Sequence, residues 1–243
     1  MKLFFSMFML IALSVAATAQ NLTLGVKGGG SFSQLKGDYT YQSSSYLDTP
    51  PVSSLTFGGF ANYSLTSFLS VQTEINYLKQ GFKFETAEGI VGGYTNGKAT
   101  FNYLQIPILA QISYGSSLKL FANAGLSANF LISGGSFSYH VGGTQYPPVN
   151  NNYHLNIKSD FNKVTLGLVG SAGVSYDITS TIGILGEFRV GYDLTKSSKN
   201  KNIAITDIDL PSTDNSYISP VTYNDTHFLS YTVQGGVYFR FGK

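Results

Sequence analysis

Residues 226–241 alternate in chemistry one by one. Leu229, Tyr231, Val233, Gly235, Val237, Phe239 and Phe241 form one set; Ser230, Thr232, Gln234, Gly236, Tyr238 and Arg240 form the other. Successive strand residues point to opposite faces, so one face is apolar and the other polar over about ten residues. A tilted strand of that length crosses a bilayer.

The same pattern predicts seven more strands, at 22–33, 54–64, 68–84, 99–113, 117–132, 162–177 and 181–194. The apolar set is Leu55, Phe57, Gly59, Ala61 and Tyr63 on the second strand, and Leu104, Ile106, Ile108, Ala110, Ile112 and Tyr114 on the fourth. On the fifth it is Leu118, Leu120, Ala122, Ala124, Leu126, Ala128 and Phe130. Val164, Leu166, Leu168, Gly170, Ala172, Val174 and Tyr176 follow on the sixth, then Ile182, Ile184, Phe188, Val190, Tyr192 and Leu194 on the seventh. The third carries Leu69, Val71, Thr73, Ile75 and Tyr77 and then loses phase from Lys79 to Gly81, where a β-bulge is expected.

Short connections at 65–67, 114–116 and 177–180 alternate with long ones at 34–53, 85–98, 133–161 and 195–225. The long ones are polar and rich in Gly, Ser, Asn, Tyr and Pro; Asn96-Gly97 in the second of them is a turn signal. This alternation predicts an all-β fold: an eight-stranded antiparallel up-and-down transmembrane β-barrel with four long extracellular loops and short periplasmic turns. A soluble barrel, apolar within and polar without, would alternate too. Its outer face would be rich in Lys and Glu, whereas here the inward set is mostly Gly, Ser, Thr, Asn and Gln with scattered charges, as in Lys119, Phe121, Asn123, Gly125, Ser127 and Asn129. Small polar residues fit a confined lumen, which places the apolar face against lipid.

Aromatic residues mark the two ends of that face. Tyr63, Tyr114, Tyr176, Phe239 and Phe241 fall near the short turns, and Tyr77 and Tyr192 near the long loops. Two girdles at the headgroup levels are expected from rings with polar tips.

Residues 1–19 have the pattern of a cleaved signal peptide, with Lys2 as the basic start, 3–16 as the apolar core, and cleavage between Ala19 and Gln20. The mature barrel domain is then 20–243, and loss of Lys2 lowers the formal charge from +2 to +1. The chain has no cysteine, so neither disulfides nor a thioether lipid anchor are available. Charged residues make up 12%, about half the share in soluble domains. Yet mean hydropathy is only +0.06, and no apolar run after the leader reaches the ~18 residues of a membrane helix. Nothing in the charge distribution points to a nucleic-acid partner.

Inward positions carry Lys27, Glu74, Lys119, Glu187, Arg189 and Arg240. Eight strands enclose a space just wide enough for side chains, so isolated charges there would be costly. Glu74 and Glu187 are expected to pair with Arg189, Arg240 and the lysines, either as a structural plug or as part of a conduit or ligand site.

No catalytic residues, cofactor site or metal site are assigned. His140, His154 and His227 and the loop carboxylates Asp160, Asp209 and Asp225 have no spacing that singles out a general base. Asp207, Asp209 and Asp214 lack the ligand spacing of a calcium loop, and Gly28 to Gly30 open no helix, so no phosphate loop is indicated. Tyr39, Tyr41, Tyr46, Tyr94, Tyr139, Tyr146, Tyr153, Tyr217 and Tyr223 make the long loops tyrosine-rich, which suits either a binding surface or loops that pack on one another.

Gly25-Val26-Lys27-Gly28-Gly29, Gly58-Gly59-Phe60-Ala61, Val71-Gln72-Thr73-Glu74-Ile75-Asn76-Tyr77 and Gln80-Gly81-Phe82-Lys83 form a recognisable series. With Tyr103-Leu104-Gln105-Ile106-Pro107-Ile108 and the closing 235–241 segment, the chain resembles the PorT-like outer membrane β-barrel proteins of Bacteroidetes. Gly242-Lys243 after Phe241 departs from barrels that end on the aromatic itself. The resemblance implies an outer-membrane protein with lipid and envelope or secretion-machinery proteins as partners, and it brings no catalytic residues. A non-enzymatic structural or loop-binding role is therefore expected. The alternatives are a lipid-modifying or proteolytic barrel enzyme, with one of the histidines near a loop serine or aspartate, and a narrow solute pore.

Overall fold

Strand pairing follows chain order around a ring. The strands are β1 (Leu22–Thr40), β2 (Val52–Ser64), β3 (Leu69–Thr86), β4 (Gly93–Gly115), β5 (Leu118–Gly143), β6 (Val164–Asp177), β7 (Ile182–Asp193) and β8 (Val221–Arg240). Each pairs antiparallel with the next, and β8 returns to β1 from Thr23↔Arg240 to Thr40↔Thr222. The sheet is thus a closed eight-stranded up-and-down barrel, and closure removes the unpaired edges that an open sheet would present. The computed structural model describes residues 21–40, 47–48, 50–86, 93–143, 150–199, 202–203 and 221–241. The leader, with Ala19 and Gln20, lies outside these residues, as do Asp207, Asp209 and Asp214.

The two faces separate by burial as the alternation requires. Val26 is 59% exposed and Lys27, the next residue, 5%. Leu55, Phe57, Ile75, Ile108, Leu120, Leu126, Leu166, Ile184 and Val237 all stand exposed on the outer surface. Glu74, Asn76, Gln105, Asn129, Glu187, Arg189 and Gln234 are buried inside. No helix among the described residues is long and apolar enough to cross a membrane.

Two of the tight turns use one device. Leu65 and Thr66 donate their N–H groups to the Leu69 carbonyl, and Ile178 and Thr179 do the same to Ile182. The hydroxyl oxygens of Thr66 and Thr179 then accept from the backbone N–H groups two and three residues on. These threonine turns satisfy the backbone where the ladder stops. The third turn uses Gly115 at φ 124°, a conformation that L side chains resist.

At the other end the strands run further than the side-chain alternation indicates. β1 extends to Thr40, β4 starts at Gly93 and β5 reaches Gly143, so parts of the expected loops 34–53, 85–98 and 133–161 are ladder. A short strand, Asn150–Asn156, pairs back onto β5. Asn96 and Gly97 accordingly form no turn; they pair with His140 and Tyr139 inside the β4–β5 ladder. Backbone pairing needs no hydrophobic alternation, so a ladder continues where the outer face no longer meets hydrocarbon.

The expected bulge at Lys79 to Gly81 does not appear on the β4 side, whereas on the β2 side the pairing stops at Thr56↔Leu78, where that stretch begins. The β3–β4 register is continuous from Asn76↔Gln105 to Glu85↔Asn96. What inverts is the chemistry: Leu78 and Phe82 are buried inside, while Lys79 and Lys83 lie on the outward phase. The bulges lie instead between β4 and β5, at Thr100/Phe101 and Asn102/Tyr103, beside Gly134 and Gly135 with φ of 103° and 86°.

Candidate functional site

The lumen is filled in three layers. At the short-turn end, Asp177 accepts from Arg240 Nη1 and Nη2 at 3.1 and 2.8 Å, from Tyr238 Oη at 2.5 Å, and from Lys119 Nζ at 3.3 Å. Sequence reasoning gave Lys119 and Arg240 to the glutamates. They reach Asp177 instead, because the last residue of β6 stands beside them at the rim while the glutamates sit deeper. Beside this layer a cavity of about 140 Å³ runs from Thr66 and Ser67 of the first turn, past Lys119 and Arg240, to Lys27 and Glu187.

The second layer crosses the middle of the barrel. Glu74 on β3 accepts from Arg189 Nη1 and Nη2 at 2.7 Å each, from Lys27 Nζ at 2.8 Å, from Gln72 Nε2 at 2.6 Å and from Asn76 Nδ2 at 2.7 Å. Glu187 on β7 accepts from Lys27 Nζ, Gln234 Nε2 and Arg189 Nη2 at 2.8 Å and from Arg189 Nε at 3.1 Å. Two cations meet two carboxylates, so the cluster is neutral. Every side chain in it is at most 6% exposed. Its geometry meets the condition under which buried charges are tolerated, with paired ions whose remaining hydrogen-bonding capacity is taken up by neutral donors. The gap next above, lined by Thr56, Asn76, Gln105 and Arg189, is only about 10 Å³, room for a single water.

The third layer, at the long-loop end, is aromatic. Phe101 packs 4.2 Å from Phe161 between ring centroids, with Phe82 and Phe228 within 6.4 Å of both rings. Leu35, Val52, Leu78, Ala99, Tyr103 and Ile157 are also buried. Phe161 comes from no barrel strand. The 3-10 turn Lys158–Asp160 delivers it, and the backbone bonds Asn162 N–H to Ser197 O and Lys199 N–H to Asp160 O hold it over the mouth. This layer was missed in the sequence. Its signal was present, since Phe82, Phe101 and Phe228 fall in phase with Glu74, Gln105 and Ser230, the polar set of their strands.

Between the second and third layers, the buried Asp193 carboxylate accepts from Asn129 at 2.8 Å, Ser197 at 3.0 Å and Thr165 at 3.3 Å. His227 does not join that carboxylate; its Nδ1 lies 2.9 Å from the Asp193 backbone carbonyl, and its ring stacks on Tyr192 at 5.6 Å. Asp225 pairs with Lys196. The side chains of His140 and His154 lie outside the described residues, as do those of the nine loop tyrosines and of Asp209. Among the described residues no group of three or more acidic or histidine side chains is placed to hold a metal.

On the outer surface Tyr63, Tyr114, Tyr176, Phe239 and Phe241 are exposed near the short turns, joined by Phe68 from the first turn. Tyr192 is exposed at the opposite end, and Tyr77 stacks on Phe57 at 5.0 Å.

A family model for the outer membrane protein β-barrel domain matches residues 18–199. The fold is similar to that of OprG from Pseudomonas aeruginosa, with a TM-score of 0.50 and 11% identity over 91% of this chain and 97% of that one. Neisserial surface protein A gives a TM-score of 0.44 and 15% identity over 90% and 97%. The outer membrane protease OmpT from Escherichia coli gives 0.33 and 10% over 92% and 98%. No curated protein matches the chain in sequence.

Proposed function

Because this chain belongs to the family of outer membrane protein β-barrel domains, we propose that it is a sealed, non-enzymatic barrel that presents a binding surface at the long-loop end. The observation that carries this reading is the double closure of the lumen. A neutral cluster of Lys27, Glu74, Glu187 and Arg189 blocks the middle, and the Phe82, Phe101, Phe161 and Phe228 rings block the mouth. A solute would have to displace both. The protein is exported by residues 1–19, which are then removed, and its outer face meets lipid through the two aromatic girdles. Recognition falls to the tyrosine-rich connections, with envelope or secretion-machinery proteins as partners, the role that the PorT-like resemblance implies.

The test has two arms. Purified protein in planar bilayers gives no conductance steps, and stepwise currents would overturn the sealed barrel. Affinity capture from native membranes, with the intact protein and with residues 41–46, 87–92, 144–149 or 204–220 deleted in turn, loses its partner in at least one deletion. Capture that survives all four would overturn loop-mediated binding.

A further inference from the structure

We propose that Lys79, Lys83 and Lys98 form a binding site for a phosphate-bearing lipid headgroup in the leaflet at the long-loop end. The outward faces of β3 and β4 are apolar up to the cross-strand pair Tyr77↔Leu104. The next outward pairs are Lys79↔Asn102, Gly81↔Thr100 and Lys83↔Lys98. Two lysines and an asparagine therefore stand above and below a floor made of a glycine and a threonine. Four residues of strand separate Lys79 from Lys83, about 13–14 Å, which two flexible lysine stems can close around one headgroup.

Lys83 and Lys98 face each other directly. Like charges at such a position destabilise a sheet unless something neutralises them. Among the described residues none of the three amines has an ion-pair partner, whereas Lys196, at the same end, is paired with Asp225. The nearest acidic positions, Glu85 opposite Asn96 and its other register partner Asp48, lie one pair beyond Lys83, further from the apolar band. The level next to the apolar band thus carries positive charge alone, and the acidic positions stand on its far side.

The two ends of the barrel differ in a way that selects a leaflet. At the short-turn end Leu65, Thr66, Ser67, Phe68, Ser116, Ser117, Ile178, Thr179 and Ser180 carry no charge, and the one acidic turn residue, Asp177, is already paired with Arg240 and Lys119. The lysines continue the lipid-facing surface directly above Tyr77, at the level where ammonium groups reach headgroups. A phosphate suits them because an ammonium on a flexible stem acts as a point charge and needs no planar partner.

The test uses the full chain in nanodiscs of phosphatidylcholine containing a minor fraction of phosphatidic acid, with retained lipids counted by native mass spectrometry. The wild type retains phosphatidic acid over phosphatidylcholine, and K79Q/K83Q/K98Q weakens that preference by up to about 100-fold, from the worth of each basic residue near an anionic surface. Lys163→Gln, just before β6 and two strands from β4 in the ring, serves as the control and keeps the preference. Heat-modifiable gel migration checks that each variant is folded. Equal retention by wild type and triple variant would overturn the proposal. So would displacement of phosphatidic acid by millimolar inorganic phosphate, which would assign the site to a soluble anion. Lysine-dependent binding of a sulfated oligosaccharide without lipid retention would overturn it too.

Discussion

Arg189 holds Glu74 across the lumen by two parallel hydrogen bonds of 2.7 Å, from β7 to β3. These strands are not neighbours in the ring, so the pair ties together walls that the backbone ladder leaves independent. The fork of the guanidinium matches the two carboxylate oxygens, and Lys27 then bridges Glu74 to Glu187.

Glu74→Gln should therefore destabilise the barrel by about 3–5 kcal/mol, because it leaves Lys27 and Arg189 with one carboxylate between them in a dry interior. Urea unfolding in detergent or lipid vesicles measures it. The pair of changes Glu74→Gln and Lys27→Met should recover part of the loss, since it restores neutrality. If the double variant is no more stable than the single one, charge balance is not what holds this layer.

Phe161→Ala removes the ring that lids the mouth. The loss of a large buried aromatic predicts about 3–5 kcal/mol of destabilisation, or less if the 158–163 segment lifts away. Conductance should stay absent in this variant, because the charge cluster still closes the middle. Currents from Phe161→Ala alone would show that the aromatic layer is the seal.

The barrel was legible because hydrocarbon outside and a cramped polar interior give every strand the same period of two. Leu126 and Ser127, or Val237 and Tyr238, disclose their sides by chemistry alone. Legibility ended at the level of Tyr77. Beyond it the outward side chain is Lys79 and the inward one Phe82, so the rule that apolar means outward inverts while the backbone keeps its phase. That inversion read as a bulge at Lys79 to Gly81, and it hid both the strand extensions and the aromatic layer. The inward charges Lys27, Glu74, Glu187 and Arg189 were placed by phase. The partner of Lys119 and Arg240 was not, because Asp177 stands at a turn, where the period says nothing about direction.

Asp177→Asn tests the outer charge layer against the inner one. Its partners Arg240 and Lys119 remain partly open to solvent, with side chains 20% and 27% exposed. Water can replace what the substitution removes, so the cost should be about 1 kcal/mol, well below that of Glu74→Gln. High salt should reduce the difference between Asp177→Asn and the wild type and leave that of Glu74→Gln unchanged. Parallel unfolding curves at two ionic strengths decide the matter, and equal salt sensitivity for both variants would contradict the layering.

The outer face offers a test of the membrane assignment itself. Leu126 lies near the middle of the spanning part of β5, 61% exposed, with Leu168 and Ile108 as its cross-strand neighbours. In a water-soluble barrel an arginine there would be nearly neutral, since an exposed surface position tolerates charge. In a bilayer it must hold a guanidinium against hydrocarbon, which costs about 2–4 kcal/mol at the midplane and falls towards zero near either interface. Leu126→Arg should therefore destabilise the barrel folded into lipid vesicles by that amount, while Leu118→Arg, at the short-turn end of the same strand, should cost about 1 kcal/mol or less. The two positions have equal exposure, 61%, so burial within the protein cannot account for a difference between them. Equal costs at the two depths would mean that this apolar face does not meet a membrane.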